Sequence, residues 1–196
     1  MSKKWIVWII IIVILFIAYS TVKGKYNGMV TKEEAVTTEW SNVETQYQRR
    51  LDLIPNLVSV VKGYAEHEKE VLVGVTEARA KASSMNIDAS NLTEESMQTF
   101  AAAQGQLNSA LSRLLVTVEK YPDLKANQNF LELQAQLEGT ENRIAVARKR
   151  FNEIVQDYNT YIRVFPNNIF SGMFGFERKA VFKSDEEASK APKVEF

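Results

Sequence analysis

Cysteine is absent from all 196 residues. That excludes disulfides, thiolate nucleophiles and thiolate-bound zinc, and leaves the chain indifferent to the redox state of its compartment. Histidine is nearly absent too. His67 stands alone in Glu66-His67-Glu68-Lys69-Glu70, where a solvated charged helix face is a simpler reading than a ligand set. One imidazole supports neither a serine–histidine triad nor a multi-histidine metal centre. Glycine is sparse at 8 residues, and Gly172 and Gly175 have neither the spacing nor the strand-to-helix setting of a phosphate loop. An excess of one charge is also missing, since 24 basic residues balance 24 acidic ones. Four of the basic residues, Lys3, Lys4, Lys23 and Lys25, flank one apolar run, so the chain beyond residue 25 carries 20 basic against 24 acidic side chains. Such a weakly acidic domain lacks the cationic face that neutralises phosphates, and nucleic acid is not an expected partner. No cofactor and no catalytic group are expected, and the chain reads as a non-enzyme.

What is there begins with that run. From Trp5 to Val22 no residue is charged, and 18 residues of helix at about 1.5 Å each give roughly 27 Å, close to the hydrocarbon thickness of a bilayer. Trp5, Trp8 and Tyr19 lie near its ends, where amphipathic rings favour the interface, with lysines outside them. Residues 5–22 are therefore expected to cross the bilayer. A cleaved secretory signal is the rival reading, with Lys3 and Lys4 as the charged start and Ala18-Tyr19-Ser20 as a loose small-x-small site. The apolar run is longer, and its downstream flank more basic, than such a signal usually has. Lys3 and Lys4 oppose Lys23 and Lys25, so the positive-inside rule is close to a tie on orientation.

Beyond Tyr26 apolar residues recur at alternating spacings of three and four, the rhythm of amphipathic helices. One stripe runs Met29, Val36, Trp40, Val43, Tyr47, with Glu33 interrupting it. Proline lacks an amide proton and disfavours helical geometry in the residue before it, so Asp52-Leu53-Ile54-Pro55 is expected to stop or sharply kink that helix. A second stripe runs Leu57, Val61, Tyr64, Val71, Val75, Ala78, Ala82, broken by Glu68. A turn at Asn86, Asp88, Ser90 and Asn91 leads to Thr93, which reads as an N-cap before Glu94 and Glu95. The third stripe, Met97, Phe100, Leu107, Leu111, Leu114, Val118, Tyr121, is interrupted by Gln104 and ended by Pro122-Asp123. The fourth and longest is Phe130, Leu133, Leu137, Thr140, Ile144, Ala147, Phe151, Ile154, Tyr158, Tyr161, Phe165.

The expected architecture is all-α: an N-terminal transmembrane helix (1–25), then an antiparallel up-and-down four-helix bundle (26–165), then an irregular C-terminal tail (166–196). The alternative joins the first two helices into one long kinked helix of a three-stranded coil.

Three groups stand out against this frame. Arg49, Arg50, Asp52 and Asn56 cluster at the first helix junction, where guanidinium donors and nearby acceptors suit a local network that fixes the turn, with an anion-binding site as the rival. Asn152 and Asn159 are seven apart beside Phe151 and Tyr158, so both project from one side of the last helix and read as register-setting core amides. Phe170, Met173, Phe174 and Phe176 gather large apolar groups in a glycine-containing stretch, which either caps the bundle or docks on a partner or membrane surface.

Several of these segments resemble the LemA family of bacterial membrane proteins: Tyr26-Asn27, Arg49-Arg50-Leu51-Asp52-Leu53-Ile54-Pro55-Asn56-Leu57-Val58, Val61-Lys62-Gly63-Tyr64-Ala65, Thr140-Glu141-Asn142-Arg143-Ile144-Ala145, Phe151-Asn152 and Tyr158-Asn159. Phe165-Pro166-Asn167-Asn168-Ile169, Gly172-Met173-Phe174-Gly175-Phe176 and Ala191-Pro192-Lys193-Val194-Glu195-Phe196 look like its C-terminal signature. Lys179 to Ser184 is less aromatic than that pattern. The resemblance implies one N-terminal transmembrane helix in the bacterial cell membrane, a short outside N-terminus and a cytoplasmic bundle. It implies no reaction. The functional expectation is a membrane-anchored scaffold or adaptor with protein partners; the alternative is a structural protein that assembles into a homo-oligomer, and an enzyme or sensor of an anionic ligand comes third.

Overall fold

The computed structural model describes residues 3–183 and is built from helices: α1 (Lys3–Tyr64), α2 (Lys69–Ser83), α3 (Glu94–Val118), the single turn α4 (Pro122–Lys125), α5 (Gln128–Arg163) and α6 (Asn167–Phe174). Ala191 to Phe196 lies outside the described residues.

The apolar run and the first amphipathic stripe form one uninterrupted helix of 62 residues. At about 1.5 Å per residue it is roughly 93 Å long. Its N-terminal part is the one stretch among the described residues that is long and apolar enough to cross a membrane, and none of it is buried within the molecule. Trp5, Trp8 and Tyr19 are exposed on it.

Pro55 does not stop α1, contrary to expectation. A mid-helix proline orphans the carbonyl four residues back, here that of Leu51. Arg79 of α2 supplies the missing donor, its Nε lying 2.9 Å from the Leu51 oxygen. The break comes instead at residues 65–68, just past Gly63, where the Glu68 amide donates to the Ala65 carbonyl at 3.1 Å. Leu57, Val61 and Tyr64 thus belong to α1, while Val71, Val75, Ala78 and Ala82 belong to α2. This joins parts of the two readings weighed from the sequence: the first helix is long, and a separate second helix still follows.

α1 and α5 run antiparallel along most of the domain, tied by Lys32–Asp157, Glu39–Arg150 and Arg50–Glu141. α3 starts with the capping box expected at Thr93, whose hydroxyl accepts from the Ser96 amide while the Ser96 hydroxyl accepts from the Thr93 amide. Met97, Phe100, Leu107, Leu111, Leu114 and Val118 are all buried on it, as their spacing predicts. On α5 the buried face drifts by one position near its end, so that Val155 and Ile162 are buried, whereas Phe165 lies past the end of the helix and is exposed. An α-helix slips against a seven-residue repeat by about 20° per heptad.

The core has two apolar halves. One, distal to the apolar run, packs Leu51, Ile54, Leu57 and Val61 of α1 against Leu72 and Val75 of α2, Leu107 and Leu114 of α3, and Phe130 and Leu137 of α5. The other packs Met29, Val36, Trp40 and Tyr47 of α1 against Phe100 of α3 and Phe151 and Tyr158 of α5. α2 is too short to reach this half. Ile87 and Leu92 of the α2–α3 loop and Phe182 of the C-terminal segment close it instead.

Candidate functional site

A polar layer separates the two halves. Its centre is Arg50, fully buried, whose guanidinium donates to Asn108 Oδ1 at 2.6 Å, to Glu141 Oε1 at 2.8 Å and to Gln104 Oε1. The same group lies 5.1 Å from the Tyr47 ring centroid. Burial raises the Tyr47 phenol above its ordinary pKa, and the charges of Arg148 and Arg50 oppose that rise. Gln104, which breaks the third stripe in the sequence, is buried because it is an acceptor for Arg50.

The four residues clustered at 49–56 therefore do not form one network. Arg50 faces inward, whereas Arg49, Asp52 and Asn56 are exposed, and Asp52 accepts only from Gln48, one turn away on the same helix, at 2.7 Å. On a helix, residues two apart point in different directions. Arg50's partners come from α3 and α5, which spacing within α1 gave no means of finding.

Beside Arg50 a cleft of about 440 Å³ opens to the surface, lined among others by Gln98, Gln104, Asn108, Arg148 and Phe182. Three cations, Arg50, Arg148 and Lys183, face two carboxylates, Glu94 and Glu141, in its lining, so its net charge is a single positive one.

The C-terminal segment is clamped onto α5. Asn159 takes both backbone groups of Lys179, donating to its carbonyl at 2.8 Å and accepting from its amide at 3.0 Å. Asn152 holds Phe182 in the same way, at 2.9 Å in each direction. The spacings match: seven helical residues rise about 10.5 Å, and three extended residues span roughly 10 Å. The two amides are thus satisfied by the tail backbone rather than by another helix. On its other edge the segment is held by the Leu92 carbonyl, which accepts from the Ala180 amide at 2.8 Å.

Phe182 ends up among Trp40, Phe100 and Phe151, its ring stacked on Trp40 at 6.0 Å and edge-on to Phe151 at 5.6 Å. Lys179 is buried too, paired with Glu33 at 2.8 Å and donating to the Ser90 carbonyl at 2.6 Å. Tyr158 donates to the Glu177 carbonyl at 2.9 Å. Burial, and the carboxylates of Glu33 and Glu177, push its phenol far above the usual tyrosine range.

Only part of the stretch expected to be irregular is so, because α6 precedes the clamped segment. It ends at Gly175, whose φ of 76° is left-handed and suits glycine. Of the apolar residues singled out there, Phe170 and Phe176 pack partly against the core, Phe174 meets Tyr26 edge-on at 5.1 Å, and Met173 is exposed.

The sequence pattern of the LemA family matches residues 39–196. The chain belongs to the LemA family. Its family-defining portion therefore starts at Glu39, beyond the apolar run, and takes in the Arg50 layer, both asparagine clamps and the segment they hold. Among curated relatives, protein LemA of Metamycoplasma hominis is 23% identical over 184 residues, covering 94% of this chain and 80% of that protein. Magnetosome protein MamQ 2 of Paramagnetospirillum magneticum is 27% identical over 188 residues, covering 87% and 68% respectively. Magnetosome protein MamQ of Magnetospirillum gryphiswaldense is 26% identical over 180 residues, covering 83% and 66%.

Proposed function

We propose that this LemA-family chain is a non-enzymatic, membrane-anchored scaffold or adaptor, with residues 5–22 crossing the bacterial cell membrane and the helical domain on the cytoplasmic side. The observation that carries this reading is the continuity of α1, which runs from the apolar stretch into the middle of the core without a break. A tether built this way presents the domain in one orientation, which is useful to a binding device and unnecessary for mere retention at a membrane. In the finer architecture, α1, α2, α3 and α5 form an up-and-down four-helix arrangement around the distal half, with the clamped tail replacing α2 around the other. Relatives named for the magnetosome are in keeping with a role at a membrane.

Self-assembly is the second reading, since confinement to a bilayer raises the effective concentration of copies. The two are separated by cross-linking the full chain in native membranes, with residues 26–196 as the soluble control. Cross-links to other proteins that need residues 1–25 support the scaffold. Cross-links between copies alone support self-assembly, and equal capture by the soluble control removes the role of the anchor.

A further inference from the structure

α6 is built inside out. Its buried face is polar: Asn167 (2% exposed) donates to the Tyr161 carbonyl at 2.8 Å, and Ser171 (8% exposed) donates to the Ile162 carbonyl at 2.9 Å. Both carbonyls belong to the last turn of α5, where helix oxygens lack partners of their own. The outward face is apolar. Ile169 and Met173, four apart on α6, are 54% and 67% exposed, and Phe165, two residues before the helix begins, is 80% exposed. A helix packed on a protein surface facing water carries the opposite pattern, and a contiguous apolar patch of this kind marks a contact surface.

Its position says what the contact is. The pairs Lys32–Asp157 and Gly28–Tyr161 show α5 descending alongside α1 toward the apolar run. Continuing that register brings Phe165 level with Gly24, two residues past Val22 and roughly 3 Å beyond it along the helix axis. Tyr26, four residues past Val22, touches Phe174 at 5.1 Å and Phe176 at 5.7 Å between ring centroids. Lys23 and Arg163 are exposed at the same level.

We propose that α6 is a second membrane contact: it lies on the bilayer surface beside the anchor, with Phe165, Ile169 and Met173 among the headgroups and upper acyl chains and Lys23 and Arg163 facing anionic lipid phosphates. Amphipathic helices with this division of residues lie in the headgroup and acyl boundary, and the register of α1 and α5 leaves Phe165 about 3 Å beyond the end of the apolar run, in the headgroup layer. The inference rests on residues 5–22 spanning the bilayer. It makes the membrane-facing end of the domain a lipid-binding surface and leaves the sides and distal end for protein partners.

The absence of cysteine allows a clean test on the full chain. Single substitutions Ile169→Cys, Met173→Cys, Phe16→Cys (in the apolar run) and Val116→Cys (exposed at the distal end) carry an environment-sensitive fluorophore, in vesicles of phosphatidylethanolamine and phosphatidylglycerol. Labels at 169 and 173 are expected to shift to shorter wavelength and to be quenched by a nitroxide placed near the lipid headgroup. The label at 116 should respond only to an aqueous quencher, and that at 16 most strongly to a nitroxide deep in the acyl chains. If 169 and 173 behave like 116 while 16 reports lipid, α6 is in water and the inference fails with the anchor intact. If 16 also reports water, the anchor reading itself fails. Labels at 169 and 173 shielded from both quenchers would assign the face to a protein neighbour and overturn the lipid contact.

Discussion

Arg79 Nε lies 2.9 Å from the Leu51 carbonyl, doing for α1 what the residue at position 55 cannot. The side chain crosses from α2 to close a gap in another helix's hydrogen-bond ladder. Arg79→Met is therefore expected to leave a buried acceptor unpaired and cost about 1–3 kcal/mol. Pro55→Ala in that background restores the amide donor and should recover much of the loss. Denaturant midpoints of the two single variants and the double variant check this; additivity would mean that the two sites are not coupled.

The clamps predict that the tail is part of the folded core. Asn152→Ala and Asn159→Ala each remove two hydrogen bonds to backbone, at a net of about 0.5–1.5 kcal/mol per bond. The expected signature is faster amide exchange in residues 176–183, with α3 still protected. Phe182→Ala should cost more, about 3–5 kcal/mol, because it empties a site between aromatic rings. Unchanged exchange and midpoint in all three variants would show that the segment is not held this way in solution.

Arg50→Met tests the polar layer. Removing one member of a buried ion pair usually costs about 3–5 kcal/mol, but the Glu141 side chain is 44% exposed and can turn to water. The buried Gln104 oxygen cannot. The expected loss is therefore the roughly 1–3 kcal/mol of an orphaned buried amide, read from thermal or urea unfolding.

Tyr158 makes stability depend on alkaline pH. Its folded pKa is raised, so its contribution is complete below the ordinary tyrosine value of about 10 and is lost as pH climbs through the folded value. Ionisation would remove the donor to Glu177 and place an anion beside Glu33 and Glu177. Tyr158→Phe should be less stable at neutral pH and should lose stability less steeply above about pH 10. Identical alkaline slopes in the two proteins would rule out Tyr158 as the cause.

What could be read from the sequence was whatever depends on helix periodicity and local caps: the apolar run, the stripes of α1 and α3, and the Thr93 cap. Features that depend on a partner from elsewhere in the chain could not. Pro55 is tolerated because of Arg79, Gln104 is buried because of Arg50, and Asn152 and Asn159 are satisfied by a tail some 20 to 30 residues downstream. The seven-residue spacing of the asparagines was visible, but not that an extended tail segment matches it. α6 escaped notice because eight residues are too few for a stripe and its apolar side faces out.

A 62-residue helix without a joint also acts as a shaft. Any residue added or removed between Val22 and Met29 would turn the domain by about 100° about the axis and shift it by roughly 1.5 Å. The azimuth of every surface on the domain, relative to residues 5–22, is thus encoded in the number of residues in that short collar.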